Sequence, residues 1–179
     1  MRKVLFILGE LSDMDVEWLT AHGRKEQVAA GATLIREGSP IDAMYIVLDG
    51  RFSVWIRNSE RRELAQLGAG EVVGEMSFVD ARPPSATVEA LQPSVVLTVA
   101  RGELQKKLKT DTAFAARFYR ALAGFLSDRL RATVSRLGYG AANPTDEDED
   151  EDELDPNLLD SVHLAGARFD RMLKRLMSA

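Results

Sequence analysis

Short runs of alternating hydrophobic and polar residues, separated by closely spaced glycines, fill positions 31–100 of the chain. One run shows the period clearly, because Phe52, Val54 and Ile56 share a face while most of its polar residues lie on the other. A period of two residues is typical of a strand with one buried face. The six runs are 32–36, 43–48, 51–57, 63–67, 86–91 and 95–99. Many short strands joined by turns predict a mainly β fold, a sandwich or jelly-roll barrel over about residues 24–100.

Helical periodicity replaces this alternation on both sides of the predicted barrel. Before it, Ser12 can cap a helix over Asp13–His22, which Gly23 would end. After it, Asp111 can cap a longer helix over Thr112–Leu137. The apolar stripe of that helix consists of Phe114, Phe118, Leu122, Phe125, Leu126, Leu130, Val134 and Leu137. At about 1.5 Å per residue the helix outreaches a small barrel, so part of the stripe must contact something else.

The C-terminal residues divide into a linker and a final helix. Glycine, proline and acidic residues dominate 138–155, which predicts a flexible acidic linker. Asp155-Pro156 then combines an N-cap with a proline at the first helical position, which predicts an amphipathic helix within 156–179. Its apolar face has two interpretations. The helix docks on its own domain, or it binds a partner protein through Asn157–Met177.

The composition limits the classes of function. The 179 residues, 45% of them hydrophobic, suffice for one domain of typical size plus an appendage. The absence of cysteine excludes disulfides and thiolate chemistry. No apolar run approaches the roughly 18 residues that a membrane span needs, so we expect a cytoplasmic protein without one.

The net charge of −5 comes from one stretch, the eight consecutive acids of Asp146–Glu153. The rest of the chain is nearly neutral and lacks the basic patch that a nucleic-acid binder needs. His22 and His163 are isolated, so we expect no metal site and no prosthetic group. No nucleophile or paired carboxylates occur in a catalytic motif, so we do not expect an enzyme.

The segment between the fourth and fifth predicted runs carries the candidate chemistry. A strand ends at Gly74-Glu75, and a new one opens at Ser85 after Pro83-Pro84. Such a corner leaves backbone N–H groups without ladder partners, and clustered free N–H groups can bind an anion. A buried Glu75 could accept a hydrogen bond from a sugar hydroxyl. The alternative is that this segment is only a corner of the barrel and binds no ligand, because such a corner has the same local sequence pattern. The candidate ligand-binding residues are Gly74, Glu75, Met76, Ser77, Arg82, Ser85, Ala86 and Thr87.

Four segments together resemble the cyclic nucleotide-binding domain of the catabolite activator protein type. The matching segments are 31–38, 42–50, 67–75 and 82–88, in the order and spacing of that family. The resemblance extends from about Leu11 to Leu137.

This resemblance implies a jelly-roll barrel with a phosphate-binding cassette over Gly74–Thr87. It also implies roles for single residues: Glu75 would accept from the ribose 2′-hydroxyl, and Ser85 and Thr87 would lie near the phosphate and the base. The helix 112–137 would cap the base and form a homodimer. The winged helix-turn-helix of the resembling transcription factors has no counterpart in the 42 residues after Leu137, so we expect no DNA-binding module.

The cassette departs from the family pattern at Pro84, where the family has the arginine that binds the cyclic phosphate. Proline has no side-chain donor and no N–H group. Arg82 either reaches the phosphate by another route or is a surface arginine. The leading hypothesis is therefore a stand-alone regulatory domain that binds cAMP, cGMP or a related anionic ligand and signals to a partner protein. The alternative is an adaptor that has kept the fold and does not bind nucleotide.

Overall fold

A computed structural model describes residues 4–57, 60–80, 82–136 and 156–177 of the chain. The helices in these ranges are α1 (Val4–Glu10), α2 (Asp13–His22), α3 (Arg101–Thr110), α4 (Thr112–Arg136) and α5 (Pro156–Met177). The strands are β1 (Arg24–Val28), β2 (Thr33–Ile35), β3 (Ala43–Asp49), β4 (Arg51–Arg57), β5 (Arg61–Gly68), β6 (Val72–Val73), β7 (Thr87–Ala90) and β8 (Ser94–Ala100). The predicted linker 138–155 and Leu137 lie outside the described residues.

The strands form two four-stranded antiparallel sheets. One, here called the inner sheet, has the order β1-β8-β3-β6, and the other, the outer sheet, has the order β2-β7-β4-β5. Strands that are neighbours in a sheet but distant in sequence, such as β3 and β8, are typical of a jelly roll. The predicted mainly β fold with flanking helices is thereby confirmed.

The inner sheet is buried on both faces. Val47, Val73 and Val96 pack against the outer sheet, while Met44 and Ile46 belong to a cluster shared with the helices. This double burial explains why the middle of β3 is continuously apolar rather than alternating. The molecule therefore has three layers, helices, inner sheet and outer sheet, and the far face of the outer sheet meets solvent.

The N-terminus of α2 carries an acidic residue that joins two helices. Ser12 and Asp15 form a capping box, and the predicted boundaries of this helix are confirmed. The Arg117 side chain on α4 binds the buried Asp15 carboxylate through two contacts of 2.7 and 3.1 Å. Burial alone would raise the pKa of Asp15, but the hydrogen bonds from Arg117 and Ser12 outweigh it and hold the pKa below its ordinary value.

Helix α5 docks on its own chain. Ala165, Phe169 and Met172 are buried in the cluster that also contains residues of α1, α2 and α4. Arg168, 8% exposed, donates through Nη1 to the Leu8 carbonyl at 2.8 Å. Of the two interpretations of this helix, the structure shows the first, and the buried part of its apolar face is unavailable to a partner.

The apolar stripe of α4 divides into two faces. Phe114 and Phe118 lie in the protein's own core, and Phe125 is also fully buried. Leu130 and Val134 are exposed. The prediction that only part of the stripe packs on the barrel is confirmed, because the first half of α4 packs on the domain and an apolar strip remains on the solvent side. No described helix combines the length and the apolarity that crossing a membrane requires.

Candidate ligand-binding pocket

A cavity of about 230 Å³ lies at the corner between β6 and β7. Six of the eight predicted site residues line it: Gly74, Glu75, Met76, Arg82, Ser85 and Ala86. Its apolar wall comes from strand and loop residues that sequence reasoning missed, namely Ile35, Ile41, Val54, Val73 and Val88. The inward positions of strands could have indicated Ile35, Val54 and Val88, because such positions recur with the period of two; Ile41 lies in a loop, where no such period exists.

The backbone conformation and the close packing at position 74 both require glycine. Its φ of +85° lies in the left-handed region, which favours glycine. A Cβ atom there would also lie 2.9 Å from both the Ala43 carbonyl oxygen and Ile41 Cδ1. Gly74 therefore allows the chain to turn sharply out of β6 into the 3₁₀ turn that follows, Glu75–Phe78.

The 3₁₀ turn holds an acidic side chain at the pocket. Glu75 is 2% exposed and lines the cavity, as predicted for a residue that meets a ligand inside the fold. Met76 is half-exposed at the rim. Ser77 is described only through its backbone, which lies in the turn.

Arg82 points outward at the rim. Its side chain is 83% exposed, and its Nε lies 3.7 Å from Asp80 Oδ2. The backbone N–H of Arg82 also donates to Asp80 Oδ1 at 3.0 Å. Both residues line the cavity, so the mouth carries a carboxylate that sequence reasoning did not include. This geometry matches the surface interpretation of Arg82.

The residues that open β7 lie on different sides of the outer sheet. Ser85 and Ala86 line the pocket, and their backbone N–H groups make no hydrogen bond within the described ranges. Thr87 does not line this pocket, and its expected place near the phosphate and the base stays a prediction. Its Oγ1 accepts from the Glu37 backbone N–H at 3.1 Å, because alternate residues of a strand point to opposite faces.

The polar groups of the pocket are of both charges. Glu75 and Asp80 supply two carboxylates, Arg82 supplies one guanidinium, and Ser85 and Ala86 supply N–H donors without a partner among the described residues. In the described part of the chain no group of three or more His, Cys, Asp or Glu residues could hold a metal ion. The arrangement can bind a small molecule whose acceptors meet the N–H groups and whose donor meets Glu75.

Phe78 connects this corner to the helices. It ends the 3₁₀ turn and packs against the cluster that contains Phe114 and Phe118 of α4. The Arg101 guanidinium, at the start of α3, lies 5.4 Å from the centre of the Phe78 ring. A change in the turn therefore reaches α3 and α4 through direct packing.

Comparisons with known proteins agree with this architecture. The family described as cyclic nucleotide-binding domain matches residues 25–111. An uncharacterized NTE family protein of Mycobacterium tuberculosis is 28% identical over 130 residues, which cover 73% of this chain and 22% of that protein. The chain therefore spans about a fifth of the length of this relative.

Two solved structures resemble the whole barrel. The N-terminal domain of a transcriptional regulator from Streptomyces coelicolor is 32% identical with a TM-score of 0.59, covering 71% of this chain and 87% of that one. A cyclic nucleotide-binding domain from Methylobacillus flagellatus has a TM-score of 0.68 at 24% identity, covering 80% and 85%. The family match, the two-sheet barrel and the corner at Gly74 together show that this chain belongs to the cyclic nucleotide-binding domain family.

Proposed function

We propose that the chain is a regulatory domain that binds a cyclic nucleotide, cAMP or cGMP, or a related anionic ligand, and reports its presence to a partner protein. The observation that carries the proposal is one pocket that holds both the buried Glu75 carboxylate and the N–H groups of Ser85 and Ala86, which have no partner within the described ranges. Unpaired N–H groups bind phosphate oxygens, and a carboxylate accepts from a ribose hydroxyl. The role is one of binding, without catalysis.

The signal would travel from the pocket to the helices through Phe78. A ligand that contacts Glu75 would shift the 3₁₀ turn, because the turn is only four residues long. Phe78 at its end would then change its packing against the cluster to which Phe114 and Phe118 of α4 belong. Ligand binding would thus shift α4 between two positions. Such a shift requires that the ligand bind the protein more tightly in one of the two conformations than in the other.

Calorimetric titration with cAMP and with cGMP tests the proposal. We expect Glu75→Gln to weaken binding by about 10-fold to 100-fold, the usual loss for a hydrogen bond to a charged group. Glu103→Gln is the matched control, because Glu103 is exposed on α3. We expect Arg82→Gln to change affinity by less than about 3-fold, since its exposed ion pair contributes little.

A second candidate function is an adaptor that keeps the fold without nucleotide. Pro84 in place of the family's arginine and the outward position of Arg82 favour it. The titration separates the two: no heat and no thermal shift at millimolar cAMP or cGMP would support the adaptor. Such an adaptor would need a surface other than the buried face of α5, for example the exposed Leu164 and Met177.

We further propose that the exposed strip of α4 forms a homodimer. Tyr119, Leu126, Leu130 and Val134 recur at helical spacing on the side away from the core. We expect Leu130→Lys to give a monomer by light scattering, because it places a charge in the apolar contact.

Gln105→Lys on α3 adds the same charge outside the strip and should leave the mass unchanged. Substituting Phe118 is no test of the dimer, since Phe118 is buried in the chain's own core. An unchanged mass for Leu130→Lys would reject α4 as the interface.

A further inference from the structure

A second cavity lies on the solvent face of the outer sheet, on the opposite side from the ligand pocket. It has a volume of about 530 Å³ and crosses β2, β7 and β4. Thr33, Trp55 and Thr87 form its floor, and Arg36 and Arg57 stand beside it. We call it the Trp55 groove.

Trp55 carries a hydrogen-bond donor at this groove that no described residue satisfies. Its side chain is only 8% exposed, although it lies on the solvent face of the sheet. The indole Nε1 is buried and has no hydrogen-bond partner among the residues that the structure describes. Buried donors are almost always paired, so an unpaired one at a cavity indicates the position of a missing acceptor.

Two guanidinium groups lie over the same indole ring. Arg61 is 4.4 Å and Arg57 5.7 Å from the centre of the Trp55 ring. Arg61 is already paired, since its Nη2 donates to Glu89 Oε1 at 3.1 Å. The Arg57 guanidinium has no carboxylate within 4.0 Å in the described ranges, and the same holds for Arg36.

Both acidic side chains at the groove already accept hydrogen bonds. Glu89 is paired with Arg61, and the Glu37 carboxylate accepts from the backbone N–H of Arg57 at 3.0 Å. Among the described residues that line the groove, the donors without an acceptor are the Trp55 N–H and the guanidiniums of Arg36 and Arg57. Since tryptophan and arginine side chains cannot accept hydrogen bonds, the complementary ligand carries acceptors and negative charge.

We propose that the Trp55 groove binds an acidic peptide, with one side-chain carboxylate between Trp55 Nε1 and the Arg57 guanidinium. The groove spans three strands, about 10 Å at the usual strand spacing, which is more than one small anion fills. The guanidiniums of Arg36 and Arg57, which have no carboxylate partner in the described part of the chain, lie on separate elements and suit a peptide that presents acids at intervals. The site is independent of the ligand pocket, because the two lie on opposite faces of the outer sheet.

The test is an NMR titration that follows the indole N–H resonance of Trp55. Trp18→Phe removes the second indole signal of the chain. The eight acids of Asp146–Glu153 are replaced by Asn and Gln in the titrated protein, so that they do not compete. The probe is a synthetic peptide with the native sequence of residues 146–153. We expect it to shift the Trp55 indole proton downfield.

Matched variants locate the site. We expect Arg57→Gln to weaken peptide binding about 10-fold or more. Trp55→Phe lacks the indole resonance and is titrated by calorimetry; we expect it to bind more weakly, because it keeps an aromatic ring and loses the N–H donor. Arg24→Gln is the control, since Arg24 lies on β1 of the other sheet and pairs with Glu26. Glu75→Gln should leave peptide binding unchanged. Peptide binding at the groove is therefore tested independently of nucleotide binding at the pocket.

Three results would overturn the assignment. The first is no shift of the Trp55 resonance by the peptide. The second is binding that Arg57→Gln and Trp55→Phe leave unchanged. The third is an equal response to inorganic phosphate alone, which would mean a small-anion site instead of a peptide site.

Discussion

Replacing Phe169 with alanine is expected to lower the free energy of unfolding by about 3–5 kcal/mol, the usual cost of removing a buried aromatic ring. Phe169 is 1% exposed and belongs to the cluster shared by α1, α2, α4 and the inner sheet. For a protein of this size the loss corresponds to a melting temperature lower by roughly 6–20 °C. Thermal unfolding followed by circular dichroism measures it.

Leu164→Ala provides the matched control on the same helix. Leu164 is 44% exposed, so its truncation removes little buried surface and should change the melting temperature by far less. If the Phe169→Ala and Leu164→Ala variants had the same melting temperature, α5 would not be part of the core in solution.

Helix α5 is also held by polar contacts, which neither the Phe169 nor the Leu164 substitution removes. Arg168 Nε lies 2.6 Å from Asp13 Oδ1, and this hydrogen bond is the main reason why the pKa of Asp13 lies below its ordinary value. The same guanidinium donates to the Leu8 carbonyl near the end of α1. Arg168 therefore joins α5 to α1 and α2 at once.

Replacing Pro84 with arginine is expected to raise the affinity for cAMP by about 30-fold or more. A desolvated charged hydrogen bond to a phosphate contributes about 2–5 kcal/mol, and 1.4 kcal/mol corresponds to a factor of ten. The substitution is compatible with the fold, because Pro84 is half-exposed and its carbonyl, which accepts from Gly38 N at 2.8 Å, is retained. Calorimetric titration measures the gain.

Pro84→Gln is the control for this gain. Glutamine removes the proline ring and supplies a neutral donor, so the difference between the two variants isolates the charge. An arginine variant that bound no more tightly than the glutamine variant would show that residue 84 does not face the phosphate in this chain.

Local signals were sufficient where a helix or strand carries its own pattern. The capped α2 and the alternating β4 follow from their sequences, because the N-cap and the two-residue period are local properties. The helices α1 and α3 were not predicted. Val4–Glu10 has only seven residues and gains its stability from packing on α5, and α3 buries only Leu104 among charged neighbours. Strand β1 is polar and is held by pairing with β8.

In the candidate site too, the residues that are neighbours in sequence were predicted, and those that only the fold brings together were not. Gly74, Glu75 and the Ser85-Ala86 pair were found because they lie together in sequence, and they line one pocket. The apolar wall from Ile35 and Val54 was not found, since only the sheet pairing brings it to the corner. Thr87 lies outside the pocket lining, because a one-residue step along β7 changes the face of the sheet.

The contact between α1 and α5 has a consequence for biosynthesis. The hydrogen bond from Arg168 to Leu8 spans 160 residues of sequence. At about 5–20 residues per second, a ribosome needs roughly 8–32 s to make that length of chain. During this interval the apolar side of α1 is without the helix that covers it in the native state, so the nascent chain offers a binding site to chaperones until α5 emerges.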